Sequence, residues 1–224
     1  MAKKFQLDGK VVANEWVTAS YFKMTLSFQT LPEILPGQFA ELRIDQTPSV
    51  FLRRPISIHD VRHETNQIDL LIQKVGDGTA WLAERKAGDV VNLVFPLGNG
   101  FTTAVSNQKP VLLVGGGVGI APLLHLGRFL AQNGTKVQFL LGFRKKADIL
   151  PLNAYQAVGD VLITTEDGSE GEKGFVTNHS VWNDADFERI YSCGPTPMMK
   201  AVVQMARTKN IDCEVSLENK MACG

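Results

Sequence analysis

Two kinds of hydrophobic patterning divide the chain near its middle. Up to about residue 103, apolar and polar positions change places in short runs. Residues 11–17 and 21–28 are rich in β-formers, with polar breaks between them. The turn signal Pro36-Gly37-Gln38 opens Phe39-Ala40-Glu41-Leu42-Arg43-Ile44, which alternates with period two. Residues 68–75 and 90–95 read as further strands, the last ending at Pro96-Leu97-Gly98-Asn99-Gly100. Several short strands punctuated by turns predict a small antiparallel barrel. One helix is expected within it over residues 78–85, with Gly88 beyond its end.

From about residue 104 the pattern changes. Pro110-Val111-Leu112-Leu113-Val114 is a continuous apolar run, as for a strand buried on both faces. A helix is predicted over 121–132: Leu123, Leu126 and Leu130 share one face, and Asn133-Gly134 is a stop signal. Strands follow over 136–142, 161–165 and 189–192. Strands alternating with helical or loop segments predict a parallel sheet with right-handed crossovers. The expected class is therefore a two-domain α+β chain. An antiparallel β-barrel occupies 1–103 and an α/β parallel-sheet domain 104–212, with the boundary between Thr102 and Gln108.

Charge and cysteine content narrow the options. Lys+Arg and Asp+Glu both total 23, which argues against a diffuse nucleic-acid footprint. The first residues, Met1-Ala2-Lys3-Lys4-Phe5-Gln6-Leu7-Asp8, lack the apolar core of a signal peptide, and no apolar run reaches membrane-spanning length. Three widely spaced cysteines make no disulfide framework, so a cytoplasmic protein with reduced thiols is expected. His59, His63, His125 and His179 are scattered and suggest no catalytic arrangement.

Four segments carry chemistry. In Arg54-Pro55-Ile56-Ser57 the guanidinium can grip two phosphate oxygens, and the proline keeps the segment extended. The bland alternative is an edge strand with a solvated arginine pair, Arg53 and Arg54. Gly76-Asp77-Gly78-Thr79 precedes a helix and suits close backbone approach of a phosphate, or is simply a glycine-rich turn. Gly115-Gly116-Gly117-Val118-Gly119 ends a buried strand and opens a helix, the setting of a pyrophosphate loop. Ile120 stands where a strict G-x-G-x-x-G has its third glycine, and a tight structural turn is the competing reading. Cys193-Gly194-Pro195 follows a strand; a lone cysteine there is most simply a small buried hydrophobe, and no nucleophile is expected.

In this order and spacing the segments resemble the flavin- and nicotinamide-binding signature of the ferredoxin reductase superfamily. The string Ser216-Leu217-Glu218-Asn219-Lys220-Met221-Ala222-Cys223-Gly224 is similar to the approach to the iron–sulfur ligands in the electron-transfer subunits of NAD-linked (B-type) dihydroorotate dehydrogenase. The resemblance implies FAD in the barrel, with Arg54, Pro55, Ile56 and Ser57 at its pyrophosphate and ring, and Leu71, Ile72, Gln73, Gly78 and Thr79 as further contacts. Family members often have tyrosine at the place of Ile56 and Tyr-Arg at that of Ile72-Gln73. It implies NAD in the second domain, against Gly115, Gly116, Gly117, Gly119, Cys193, Gly194 and Pro195. The run Phe143-Arg144-Lys145-Lys146 cuts the other way, since it could meet the 2′-phosphate of NADP.

Cys223 is implied as one ligand of a 2Fe-2S cluster, and residues 213–224 as the start of a truncated iron–sulfur segment. Such a cluster takes four ligands, so the chain as written is expected to hold FAD but no cluster. The implied partner is an FMN-containing catalytic subunit, in a heterotetramer that oxidises dihydroorotate and passes electrons through the cluster and FAD to NAD+. Two alternatives remain at this point. One is another flavin-dependent reductase subunit, of the sulfhydrogenase or ferredoxin:NADP oxidoreductase type. The other is a nucleotide-sensing module without turnover, which would be colourless.

Overall fold

The computed structural model describes residues 3–45 and 50–217. The chain forms two compact units. One takes in the described residues up to Gly100, and the other residues 101–217.

The first unit is a closed six-stranded barrel. Its strands are β1 (Phe5–Trp16), β2 (Tyr21–Ser27), β3 (Phe39–Leu42), β4 (Arg54–Arg62), β5 (Gln67–Gln73) and β6 (Val90–Leu97). They pair antiparallel in the order β1-β2-β5-β4-β3-β6, and β6 closes onto β1. Alternation explains the closure. Phe22, Met24 and Leu26 of β2 face inward with Ile68, Leu70 and Ile72 of β5 and Val91, Leu93 and Phe95 of β6, all at 1% exposure or less. A single sheet can bury such faces, and lose its unpaired edges, only by curling on itself. Register breaks at Val11/Ala13, Phe39/Glu41 and Ile58/Asp60 supply the bends.

Helix α1 (Asp77–Ala83) lies between β5 and β6, and its Leu82 joins the barrel core. Side chains fix both of its ends. The Thr79 hydroxyl accepts from the amides of Val75 and Gly76, at 2.9 and 3.1 Å, and donates to the Gly76 carbonyl at 3.0 Å. At the other end the Asn14 side-chain amide donates to the carbonyls of Leu82, Ala83 and Arg85. These are among the orphan carbonyls that any helix C-terminus must satisfy.

The second unit is a six-stranded sheet in the order β10-β9-β8-β7-β11-β12, parallel throughout. The strands are β7 (Val111–Gly116), β8 (Val137–Phe143), β9 (Asp160–Thr165), β10 (Glu172–Lys173), β11 (Arg189–Cys193) and β12 (Asp212–Ser216). Helices α2 (Ala121–Gln132), α3 (Asn153–Gln156) and α4 (Thr196–Thr208) connect them. On one face Leu112, Val114 and Leu140 pack with Val202 and Ala206 of α4. On the other, α2 comes so close that a Cβ on Gly127 would lie 2.4 Å from the Phe139 ring. The buried Tyr155 of α3 donates to the Ile120 carbonyl at 2.9 Å, bracing the start of α2. No helix among the described residues is long and apolar enough to cross a membrane.

Three differences from the sequence reading stand out. The division falls after Gly100 rather than 103. Residues 213–216, assigned from the resemblance to an iron–sulfur segment, instead form β12 and pair with β11 from Arg189↔Asp212 to Cys193↔Ser216. Helix α4 adds an element beyond those read from the sequence; its first turn holds Pro197, and a proline is tolerated there because its missing amide is not needed.

Candidate functional site

In the barrel, two segments that are distant in sequence come together. A Cβ added to Gly78 would lie 2.6 Å from Arg54 Nε, 3.1 Å from its Cγ and 3.3 Å from its Cδ. The Arg54 side chain therefore lies across the first turn of α1. Its Nη1 donates to the Leu52 carbonyl at 2.8 Å and to the Arg53 carbonyl at 3.2 Å. Arg53 has a different task. It bonds the Glu41 and Asn92 carbonyls and the Asn92 side chain, the last at 2.7 Å, tying β4 to its neighbours. Both arginines bond backbone carbonyls rather than standing free in solvent; over Arg54–Ser57 β4 pairs with β3, and it pairs with β5 only from Ile58 to Arg62.

The other barrel candidates separate by exposure. Pro55 is exposed, and Ile56 is half-buried against the barrel core. Ser57 is half-buried, and its hydroxyl forms no hydrogen bond among the described residues. Gln73 is half-buried, but Leu71 and Ile72 are not available as side-chain contacts. Ile72 is a core residue at 1% exposure and Leu71 is 5% exposed, because β5 runs through the wall of the barrel. The Thr79 hydroxyl is saturated by the turn it holds, so only backbone amides of this turn can meet a ligand.

In the second unit the glycine loop and the Cys193 segment meet at the carboxyl ends of β7 and β11. These adjacent strands are where the order of the sheet reverses, the usual ligand crevice of open α/β sheets. A Cβ on Gly119 would lie 2.3 Å from Gly194 Cα and 2.5 Å from the Cys193 carbonyl oxygen. One on Gly116 would strike Met198 Sδ at 2.6 Å, and one on Gly115 would meet Ile120 and Leu123 within 3 Å. Gly117 and Gly194 take φ of +55° and +149°, which L side chains rarely adopt. The glycines are thus demanded first by the chain's packing on itself. Pro195 is exposed beside them, its Cδ 3.4 Å from where a Gly116 Cβ would be.

The two described cysteines sit in separate packed settings. Cys193 is 2% exposed, at the end of β11 opposite Gly115. Burial, with the Glu214 charge beside it, pushes the Cys213 thiol up to about 11, and the side chain packs against the core under α4. No group of three or more metal-binding side chains occurs among the described residues, and Cys223 lies outside them. The residues that sequence reasoning missed act from a distance. Asn14 caps a helix 68 to 71 positions away, and Met198 covers Gly116 from α4; neither leaves a local signal.

Barrel, parallel sheet and the two glycine-lined sites define a flavin- and nicotinamide-dependent oxidoreductase of ferredoxin-reductase architecture. The oxidoreductase NAD-binding domain family matches residues 113–204. Among solved structures, an NADH-dependent reduced ferredoxin-NADP oxidoreductase superposes with a TM-score of 0.84 at 30% identity, over 95% of this chain and 77% of that one. The ferredoxin reductase of carbazole 1,9a-dioxygenase shares the fold, with a TM-score of 0.81 at 22% identity, over 96% and 70%. Two curated relatives are electron transfer subunits of dihydroorotate dehydrogenase B (NAD(+)). That of Shouchella clausii is 43% identical over 84% of this chain and 73% of its own length. That of Bacillus pumilus is 38% identical over 96% and 83%. The chain belongs to this family of electron transfer subunits.

Proposed function

We propose that this chain binds FAD in its barrel and NAD at its parallel sheet, and passes electrons to NAD+ from a partner subunit that oxidises dihydroorotate, as a step of pyrimidine biosynthesis in the cytoplasm. The observation that carries the flavin assignment is the seating of Arg54 over Gly78, which brings the two halves of the expected pyrophosphate site together. The absence of a side chain at Gly78 leaves the arginine within reach of a phosphate held at the same turn. Arg54 would hold the pyrophosphate bidentately, and backbone amides of the first turn of α1 would share the charge. The free Ser57 hydroxyl can donate to the edge of the flavin ring, and Ile56 offers it an aliphatic surface. When bound, FAD supplies hydride exchange with the nicotinamide together with one-electron exchange toward the partner.

The second unit positions and shields. Backbone packing of Gly119 on Cys193-Gly194 fixes the shape of the crevice, and Met198 closes it from the α4 side. Buried Cys193 forms a wall of the site, with no exposed thiol to attack the substrate. The described residues do not fit a 2Fe-2S centre, since Cys193 and Cys213 lie in separate packed settings. Cys223 remains the proposed ligand.

The test is the absorption spectrum of the purified chain, followed by anaerobic addition of NADH. A yellow protein whose flavin bleaches with NADH supports the reading. A colourless protein that takes up no FAD on reconstitution overturns it, in favour of a nucleotide-sensing module. Co-purification of an FMN-containing partner that reduces the chain in the presence of dihydroorotate tests the partner.

A further inference from the structure

The loops at the carboxyl ends of β8 and β9 carry opposite charge. β8 runs into Arg144, Lys145 and Lys146, and β9 into Glu166, Asp167, Ser169 and Glu170. In dinucleotide-binding sheets an acidic side chain about 20 residues beyond the glycine loop meets the ribose 2′-hydroxyl of NAD, whereas an arginine there receives the 2′-phosphate of NADP. The end of β8 occupies that place. By local sequence alone, its Arg-Lys-Lys run suits NADP.

Tertiary structure brings the missing acid from the next loop. The Glu166 amide donates to the Phe143 carbonyl at 3.1 Å and the Asp167 amide to the Arg144 carbonyl at 3.3 Å, so the two loops run side by side. The Lys146 amide donates to Ser169 Oγ at 2.7 Å, and Ser169 in turn donates from its amide and hydroxyl to Asp167, at 2.9 and 2.6 Å. Lys146 Nζ then meets Glu170 Oε2 at 2.8 Å. Glu170 is held in place by its own backbone, whose amide and carbonyl both bond the Thr165 hydroxyl, at 3.0 and 2.7 Å. The Glu170 carboxylate holds the Lys146 ammonium above the ordinary lysine range.

We propose that Glu170 is a specificity-determining residue: by engaging Lys146 and laying a carboxylate beside the cationic run, it turns a site whose local sequence suits a 2′-phosphate into one that prefers NAD. The inference rests on reading the second unit as the nicotinamide-nucleotide site. A 2′-phosphate would have to displace Glu170 from Lys146 and then lie near both Glu170 and Asp167. A ribose 2′-hydroxyl is neutral and can donate to a carboxylate. Arg144 and Lys145 form no ion pair among the described residues; they attract either dinucleotide, and Glu170 supplies the discrimination.

The experiment compares wild type with Glu170→Gln and with the double variant Lys146→Ala/Glu170→Gln, all loaded with FAD. It measures kcat/KM for NADH and NADPH with a dye acceptor. It also measures direct binding of 2′,5′-ADP and 5′-AMP by titration calorimetry. Removing one surface charge facing a doubly charged phosphate should lower the NADH-to-NADPH ratio of kcat/KM about three- to tenfold. The change should lie in the KM for NADPH, with 2′,5′-ADP binding tighter by a similar factor. The double variant should return toward the wild-type ratio. An unchanged ratio in Glu170→Gln, or a gain that survives loss of Lys146, would overturn the assignment of Glu170 alone. Wild-type flavin reduced by neither nucleotide, with neither adenosine fragment bound, would overturn the underlying reading as well.

Discussion

Gly78 lacks a side chain where Arg54 needs the room: a Cβ at that position would lie 2.6 Å from the arginine Nε. The neighbour in the way is a flexible side chain rather than backbone, which separates two effects that mutation usually mixes. Gly78→Ala should leave the barrel as stable as before or raise its stability by up to about 1 kcal/mol, since alanine is the better helix former. It should nevertheless weaken FAD binding, because Arg54 is pushed off the first turn of α1. Arg54→Ala should cost about 2–3 kcal/mol of binding, roughly thirty- to hundredfold in Kd. Flavin content after dialysis and thermal melts of the apoproteins check both. Retention of stoichiometric FAD by Arg54→Ala would refute the assignment.

The second glycine contact predicts the opposite balance. Gly119 packs on backbone, with Gly194 Cα 2.3 Å from where its Cβ would be. Backbone at the ends of paired strands cannot move aside cheaply. Gly119→Ala should therefore destabilise the second unit by about 2–3 kcal/mol, in the range of an overpacked core. Denaturant unfolding should show the loss in the midpoint, with the slope unchanged.

A pH prediction follows from the barrel wall. Asp69 is 5% exposed and accepts from Arg62 at 2.7 and 2.8 Å and from Thr25 at 2.7 Å. Burial alone would raise its pKa, but the Arg62 and Thr25 hydrogen bonds and the Arg62 charge outweigh it and hold the carboxyl below the ordinary aspartate value of 3.8. A carboxyl depressed in the folded state contributes stability that is full above its unfolded value and is lost as pH falls through its folded value. The wild type should thus lose thermal stability below about pH 4, and Asp69→Asn should lose less over the same interval. At pH 7 the variant should be less stable by about 2 kcal/mol. Parallel melting curves between pH 7 and pH 2 would expose the assignment as mistaken.

Cys213 should be a slow thiol. With its pKa pushed up to about 11 by burial, little thiolate exists near neutrality. Alkylation of Cys213 in the native protein, followed by peptide mass spectrometry, should be slow at pH 7.5 and accelerate toward pH 10. Cys213→Val should bind FAD as the wild type does. Fast labelling at neutral pH would contradict the packing seen under α4.

Much of this was legible along the chain. Period-two alternation marks the barrel strands, because one face of each must be buried. The continuous apolar run before Gly115 marks the central parallel strand, because both of its faces are buried. Both glycine motifs are visible for a related reason, since backbone approaching backbone or a side chain at short range excludes every other residue type. The stretch 54–62 announced itself as chemistry rather than as β4, because Arg53 and Arg54 interrupt the apolar alternation with charge. Which arginine lies on the helix turn and which ties the strands together depends on partners 24 and 39 positions away, Gly78 and Asn92. The same holds for Ile72, whose side chain the barrel core takes up, which leaves its backbone as the part that can meet a ligand. The charge beside the nucleotide loop was decided by folding as well. Arg144, Lys145 and Lys146 are cations in sequence, but Glu170 reaches Lys146 only once β8 and β9 lie parallel and end together. Patterns of period and of excluded side chains are local and survive in one dimension. Charge pairing and the reach of a side chain are properties of distance in space, and only the tertiary structure sets those.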